Sequence, residues 1–192
     1  MDLQTRVVNI LTRPQTEWTV IASEPTDVAT LYKSYIMMLA AIPPAAGYIG
    51  MTMFGISVPV MGTVRVGVVQ GLTAAVVQYV LSLVGVYIAS IVIDKLAPTF
   101  QSQPDAMQAL KLVAYASTPS WLAGALGIIP ALSPLAILGG LYGIYLFYLG
   151  VAPLMKTPSD KVVPYMAVSA LAIIVVMVVT TALAAAMGGV MR

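Results

Sequence analysis

The chain has 192 residues, of which 60% are hydrophobic and 8% charged, with a mean hydropathy of +0.96. A soluble domain carries about 25% charged residues, so nine Lys or Arg plus seven Asp or Glu are too few to coat a water-facing surface. The absence of Cys and His excludes disulfides, thiol nucleophiles, thiolate metal sites and the usual general base, and a net charge of +2 without a basic stripe leaves no footprint for nucleic acid.

Residues 1–30 read as a cytoplasmic N-terminal segment, and residues 31–192 as a five-span membrane domain. Met1–Ser23 lacks the basic-then-apolar pattern and small-residue cleavage site of a signal peptide, and is taken as mature chain. Leu3, Val7, Ile10 and Leu11 recur at helical spacing between Asp2, Gln4, Arg6 and Asn9. This predicts a short interfacial helix over residues 2–12, with a frayed tail as the alternative. Pro14 ends it, and Trp18 favours the headgroup level.

Five apolar stretches of the length needed to cross a hydrocarbon core, roughly 20 residues each, follow in order: Tyr35–Phe54, Arg65–Ile93, Gln108–Ile129, Leu135–Met155 and Val163–Met187. Pro59, Pro98, Pro104, Pro130, Pro134 and Pro158 punctuate the connections. An inner N-terminus puts Arg6, Arg13, Lys33, Lys95, Lys111, Lys156 and Lys161 inside, against Arg65 and Arg192 outside. The expected architecture is therefore an all-α polytopic transmembrane bundle of five spans, N-terminus cytoplasmic and C-terminus outside.

Span one carries Pro43 and Pro44 mid-span, and span three carries Pro119. Each removes a backbone donor and frees a carbonyl, here those of Leu39, Ala40 and Tyr115, which needs a partner inside the protein. Tyr115, Ser117, Thr118, Ser120 and Trp121 form the most polar stretch of any span, and Gln70 and Gln78 of span two are expected to face the same interior. The segment is either a structural kink or a transport site of the broken-helix kind, with Tyr115, Ser117, Thr118, Pro119, Pro43, Pro44 and Gln78 as binding residues.

Span two also has a small-residue face that includes Gly67, Gly71, Ala74, Ala75, Ser82, Gly85 and Ala89. Span four repeats the theme with Gly139 and Gly143. These predict close helix packing, within the bundle or between copies. Tyr142, Tyr145 and Tyr148 of span four form an aromatic stripe that reads as packing. Met51, Met53, Met61, Met187 and Met191 gather toward the outer face, and Met51 and Met53 suit a soft ion such as Cu(I) or serve as flexible filler. Lys33, Arg65, Asp94, Lys95 and Lys111 sit near span ends, where Lys and Arg snorkel. No acidic residue falls mid-span, no base stands beside a hydroxyl, and no phosphate loop follows a strand. The expectation is a protein that is not an enzyme and holds no cofactor.

The chain resembles the Yip1 domain family, in particular its bacterial branch. The resemblance starts at Asn9-Ile10-Leu11-Thr12-Arg13-Pro14 with Trp18. It continues in Tyr115-Ala116-Ser117-Thr118-Pro119, similar to a Gly-Tyr-x-x-x-Pro motif with Ala114 in the Gly place. Ile128-Ile129-Pro130, Tyr142 to Gly150 and Lys156-Thr157-Pro158 to Lys161 complete it. A second family motif, Asp-Leu-Tyr-Gly-Pro, is kept only in part as Thr30-Leu31-Tyr32-Lys33-Ser34. The resemblance implies five spans with a cytosolic N-terminus. Eukaryotic relatives act in vesicle trafficking through Rab GTPases, a partner that a bacterial chain lacks. The implied role narrows to membrane organisation in a prokaryotic plasma membrane, with the bilayer, other membrane proteins or a second copy as partners. A small transporter or channel is the competing expectation.

Overall fold

The computed structural model describes residues 2–58 and 62–175. Two short helices open the chain, α1 (Leu3–Thr12) and α2 (Pro14–Ser23). Asp2 caps α1 by accepting the N–H of Gln4 at 2.7 Å. Arg13 leaves the helical region, and Pro14 opens α2 where its missing N–H costs nothing.

α3 (Val28–Phe54) follows a cap by Asp27, which accepts the Thr30 N–H at 3.0 Å and the Thr30 hydroxyl at 2.6 Å. The Thr30 hydroxyl, then its N–H, hold the Asp27 carboxyl below the ordinary aspartate value. α3 breaks at Ala41, and Pro43 and Pro44 fall in the first turn of the helical segment Ile42–Ile49. Near the break the Tyr79 hydroxyl donates to the Met37 carbonyl at 3.0 Å.

A small antiparallel hairpin, β1 (Ile56–Val58) with β2 (Gly62–Val64), then sets Ile56 opposite Val64. Gly55 enters it at φ 72, where a Cβ would stand 2.5 Å from the Val64 carbonyl oxygen.

α4 (Val68–Phe100) is the longest helix, at 33 residues. Val68, Val69, Leu72, Val76 and Val80 along its first half are exposed, whereas Val86, Ala89 and Ile93 lower down are buried. α5 (Ala106–Ala116) is capped by Asp105, whose Oδ1 accepts the N–H groups of Met107 and Gln108. Every residue from Ala109 to Ala116 is buried, so α5 is the central element. α6 (Thr118–Ala123) continues it after a break at Ser117, and a 3-10 stretch, Gly124–Ile128, packs against Ile42–Ile49. The segment of α3 after its break thus lies against the 3-10 backbone that follows α6, with Pro43 against Gly124. α7 (Pro130–Met155) packs on α2, α5 and α6. α8 (Val162–Val175) docks on the end of α4, with the Tyr165 hydroxyl donating to the Ile93 carbonyl.

α3, α4 and α7 are long and apolar enough to cross a membrane, and match predicted spans one, two and four. Predicted span three, Gln108–Ile129, is not one helix, because Pro119 and the following glycine-rich turn divide it into α5, α6 and 3-10 backbone. Predicted span five is represented by α8 up to Val175, and its remainder lies outside the described residues.

Candidate functional site

The N-terminal segment packs into the bundle. Arg6 and Ile10, one turn apart, face inward from α1, while Glu17, Trp18 and Ile21 face inward from α2. Trp18 is fully buried beside Gly150 of α7, where a Cβ would lie 2.6 Å from Trp18 Cε2. Only a glycine at that position admits the indole.

The same two helices share a largely buried ionic cluster with α5. Arg6, 4% exposed, pairs with Glu17 at 2.5 Å and with Glu24. Lys111 of α5, 3% exposed, donates to the carbonyls of Ile21 at 2.9 Å and Glu24 at 2.6 Å. Two cations and two carboxylates make the cluster formally neutral, the condition under which buried charge is tolerable. Gln108 Nε2 adds a bond to the Ala22 carbonyl at 3.0 Å, and the Tyr142 hydroxyl one to the Leu11 carbonyl at 2.7 Å. The bundle therefore holds α1 and α2 largely by donating to their main-chain carbonyls.

Beneath this cover lies the polar segment that the sequence singles out. Tyr115 is edge-on to Trp18 at 6.3 Å and tilted against Tyr35 at 4.6 Å between ring centroids. The hydroxyls of Tyr35 and Thr118, the latter wholly buried, share a hydrogen bond of 2.7 Å. Ser117 donates to the Val113 carbonyl at 2.7 Å. Pro119 is buried, and its carbonyl oxygen would be 2.5 Å from a Cβ on Gly139, while Gly143 makes the same close approach to the Ala116 carbonyl oxygen. Pro43 packs on Gly124, and Pro44 is buried in the same part of α3.

Gln78 is not brought to this centre. It lies exposed on α4, because the buried side of that helix faces α3 and α5 through Gly71, Val86, Ala89 and Ile93. The packing glycines divide likewise. Gly71 sits against Tyr48 and Thr52, and Gly139 and Gly143 against α5 and α6, but a Cβ on Gly67 or Gly85 would meet nothing. Ser82 is half-buried and donates to the Tyr79 carbonyl of its own helix. Lys111 does not snorkel, since the end of α2 covers it. Met51 is half-buried and Met53 exposed at the end of α3, while Met61, Met187 and Met191 lie outside the described residues.

Sequence reasoning missed Arg6, Glu17, Glu24 and Lys111. A signal was present, since Arg6 shares a helix face with Ile10, and Glu17 adjoins Trp18, so the charges lie on the apolar side.

The Yip1 domain matches residues 8–181. The inner membrane protein YohC of Escherichia coli strain K12 is 26% identical over 158 residues, which cover 81% of each chain. YohC of E. coli O6:H1 strain CFT073 matches to the same extent. No solved structure matches. The chain is a multi-pass helical membrane protein and belongs to the Yip1 domain family.

Proposed function

We propose that the chain is a non-enzymatic membrane scaffold that binds other membrane proteins or a second copy of itself. In this reading it crosses a prokaryotic inner membrane five times, with its N-terminus in the cytoplasm and its C-terminus outside. One observation carries the reading: the polar broken segment is filled by the chain's own groups. Tyr115 is enclosed by Trp18, Tyr35 and Arg6, and the Thr118 and Ser117 hydroxyls have intramolecular partners. A transport site needs such groups turned toward a solute path. The membrane assignment of the YohC relatives and the seven-to-two placement of Lys and Arg support the location and orientation.

The test is reconstitution of the purified chain in liposomes, with ion flux and oligomer mass read on one sample. The scaffold reading expects silent flux and a defined oligomer or captured membrane partners. Topology is read in parallel, because the chain has no native Cys. Single cysteines at Gln4 and Ser159 should react with an impermeant maleimide only from the cytoplasmic side, and one at Thr63 only from outside.

The transport reading draws on a different observation, the ionised cluster reaching Tyr115 within the bundle, since buried ionisable groups in membranes are often functional. Selective flux altered by Thr118→Val would replace the scaffold reading with it.

A further inference from the structure

A cavity of about 410 Å³ opens at the end of the bundle where α7 finishes and α5 begins. Its volume falls in the range of small-molecule sites, about 300–1,000 Å³. Three pieces of chain frame it: the end of α2, the 103–105 linker with the first turn of α5, and the end of α7. The frame is fastened by the Gln103 N–H on the Met155 carbonyl at 2.8 Å and by a Ser102–Thr157 hydroxyl bond of 2.8 Å.

The polar lining is rich in acceptors. Thr19 and Ser23 give their hydroxyl hydrogens to carbonyls of their own helix, Gln15 and Val20, so only their lone pairs remain for a ligand. Gln108 forms part of the wall, with its amide nitrogen used on Ala22 and its Oε1 closed off from the cavity. Asp105 contributes a carboxylate. Such a set suits a cation with several N–H donors. The lining contains one cation, Lys156, held at φ 50 where α7 ends, and this suits one anion. Pro104, Pro153 and Leu154 supply apolar wall. Apolar α7 gives way to Lys156 at this level, which is where lipid headgroups lie.

We propose that this cavity binds a phosphoethanolamine group, its primary ammonium on the Asp105 carboxylate and the lone pairs of the Thr19 and Ser23 hydroxyls, and its phosphate on Lys156. The inference is independent of the scaffold reading and of the direction of insertion. An ethanolamine phospholipid and soluble phosphoethanolamine present the same chemistry.

The test uses the full chain in nanodiscs containing equal parts of phosphatidylethanolamine, phosphatidylcholine and phosphatidylglycerol, with retained lipid read by native mass spectrometry. The ethanolamine lipid should be retained over the choline lipid, which differs at the headgroup nitrogen only by methyls that remove every N–H donor. Lys156→Asn removes the ammonium with a residue that tolerates positive φ, and should lower that retention about tenfold, the effect of one charge-assisted contact. Ser23→Ala, on the exposed end of α2, should leave the fold intact and reduce the selectivity over choline. Displacement of retained lipid by millimolar O-phosphoethanolamine would assign the site to the soluble source, and resistance to it would assign it to the lipid. Equal retention of all three lipids by the native chain, unchanged in Lys156→Asn and with no binding of O-phosphoethanolamine, would overturn the proposal.

Discussion

The guanidinium carbon of Arg6 lies 5.6 Å from the centroid of the Tyr115 ring. This contact joins the first helix of the chain to its most central one, and the cation that makes it also neutralises Glu17 and Glu24. Arg6→Ala leaves the Glu17 carboxylate buried without its counter-charge, a change that costs about 3–5 kcal/mol. The expected result is a large fall in the thermal midpoint of the detergent-solubilised chain. Adding Glu17→Ala to Arg6→Ala should recover part of the loss. Additive losses in that double-mutant cycle would show the two residues to be uncoupled.

Gly150 and Gly85 make opposite predictions for one substitution. A methyl at Gly150 would meet Trp18 and Leu112 within 2.7 Å, and both are buried. Gly150→Ala should destabilise by about 1–3 kcal/mol, the usual cost of overpacking. It should also shift Trp18 fluorescence to the red, measured with Trp121→Phe so that one indole reports. A methyl at Gly85 meets nothing, so Gly85→Ala should be neutral or stabilise by up to about 1 kcal/mol through helix propensity. If Gly85→Ala instead breaks up an oligomer, that face is covered by another copy.

The legible part of the fold was the part governed by local pattern. Long apolar runs mark α3, α4 and α7 because a hydrocarbon solvent demands length and hydropathy together. Pro43 and Pro119 mark the two breaks because a missing N–H acts within one turn of helix. What the pattern leaves unread is the partner of each exposed or buried face. Small residues on α4 permit close approach on a third of its circumference, yet only Gly71 and Ala89 are buried there, and nothing along the chain says which side is occupied. Lys111 reads as a rim residue because its covering carbonyls come from Ile21 and Glu24, 90 and 87 positions away. Arg6 looks like one more charge in a polar head, since its pairing with Glu17 depends on the turn at Arg13 and Pro14 folding α1 back on α2.

The Asp27 cap gives a pH dependence whose sign is fixed. Its folded-state pKa is depressed, first by the Thr30 hydroxyl and then by the Thr30 N–H. A group lowered on folding contributes stability that is present above its unfolded pKa and lost as the pH falls through its folded value. Asp27→Ala should therefore lower the melting temperature at neutral pH and flatten its fall in acid below about pH 4. Asp27→Asn retains a capping oxygen and should keep most of the neutral-pH stability while flattening the same acid limb. An acid limb identical in all three proteins would place the titration elsewhere.

Tyr35 and Thr118 separate a filled core from a solute site. Among the described residues their hydroxyls bond to each other, at 2.7 Å, in a place with 3% exposure at Tyr35 and none at Thr118. Tyr35→Phe leaves the Thr118 hydroxyl without that partner and should cost about 1–3 kcal/mol. Tyr35→Phe with Thr118→Val removes both polar groups and should recover much of that loss, because an apolar pair of similar shape has no unmet hydrogen bond. Under the scaffold reading the pair changes thermal stability alone, and liposomes carrying either variant stay as impermeant as those carrying the native chain. Flux that rises or changes selectivity in Tyr35→Phe, with the melting temperature unmoved, would mean that these hydroxyls face a solute path.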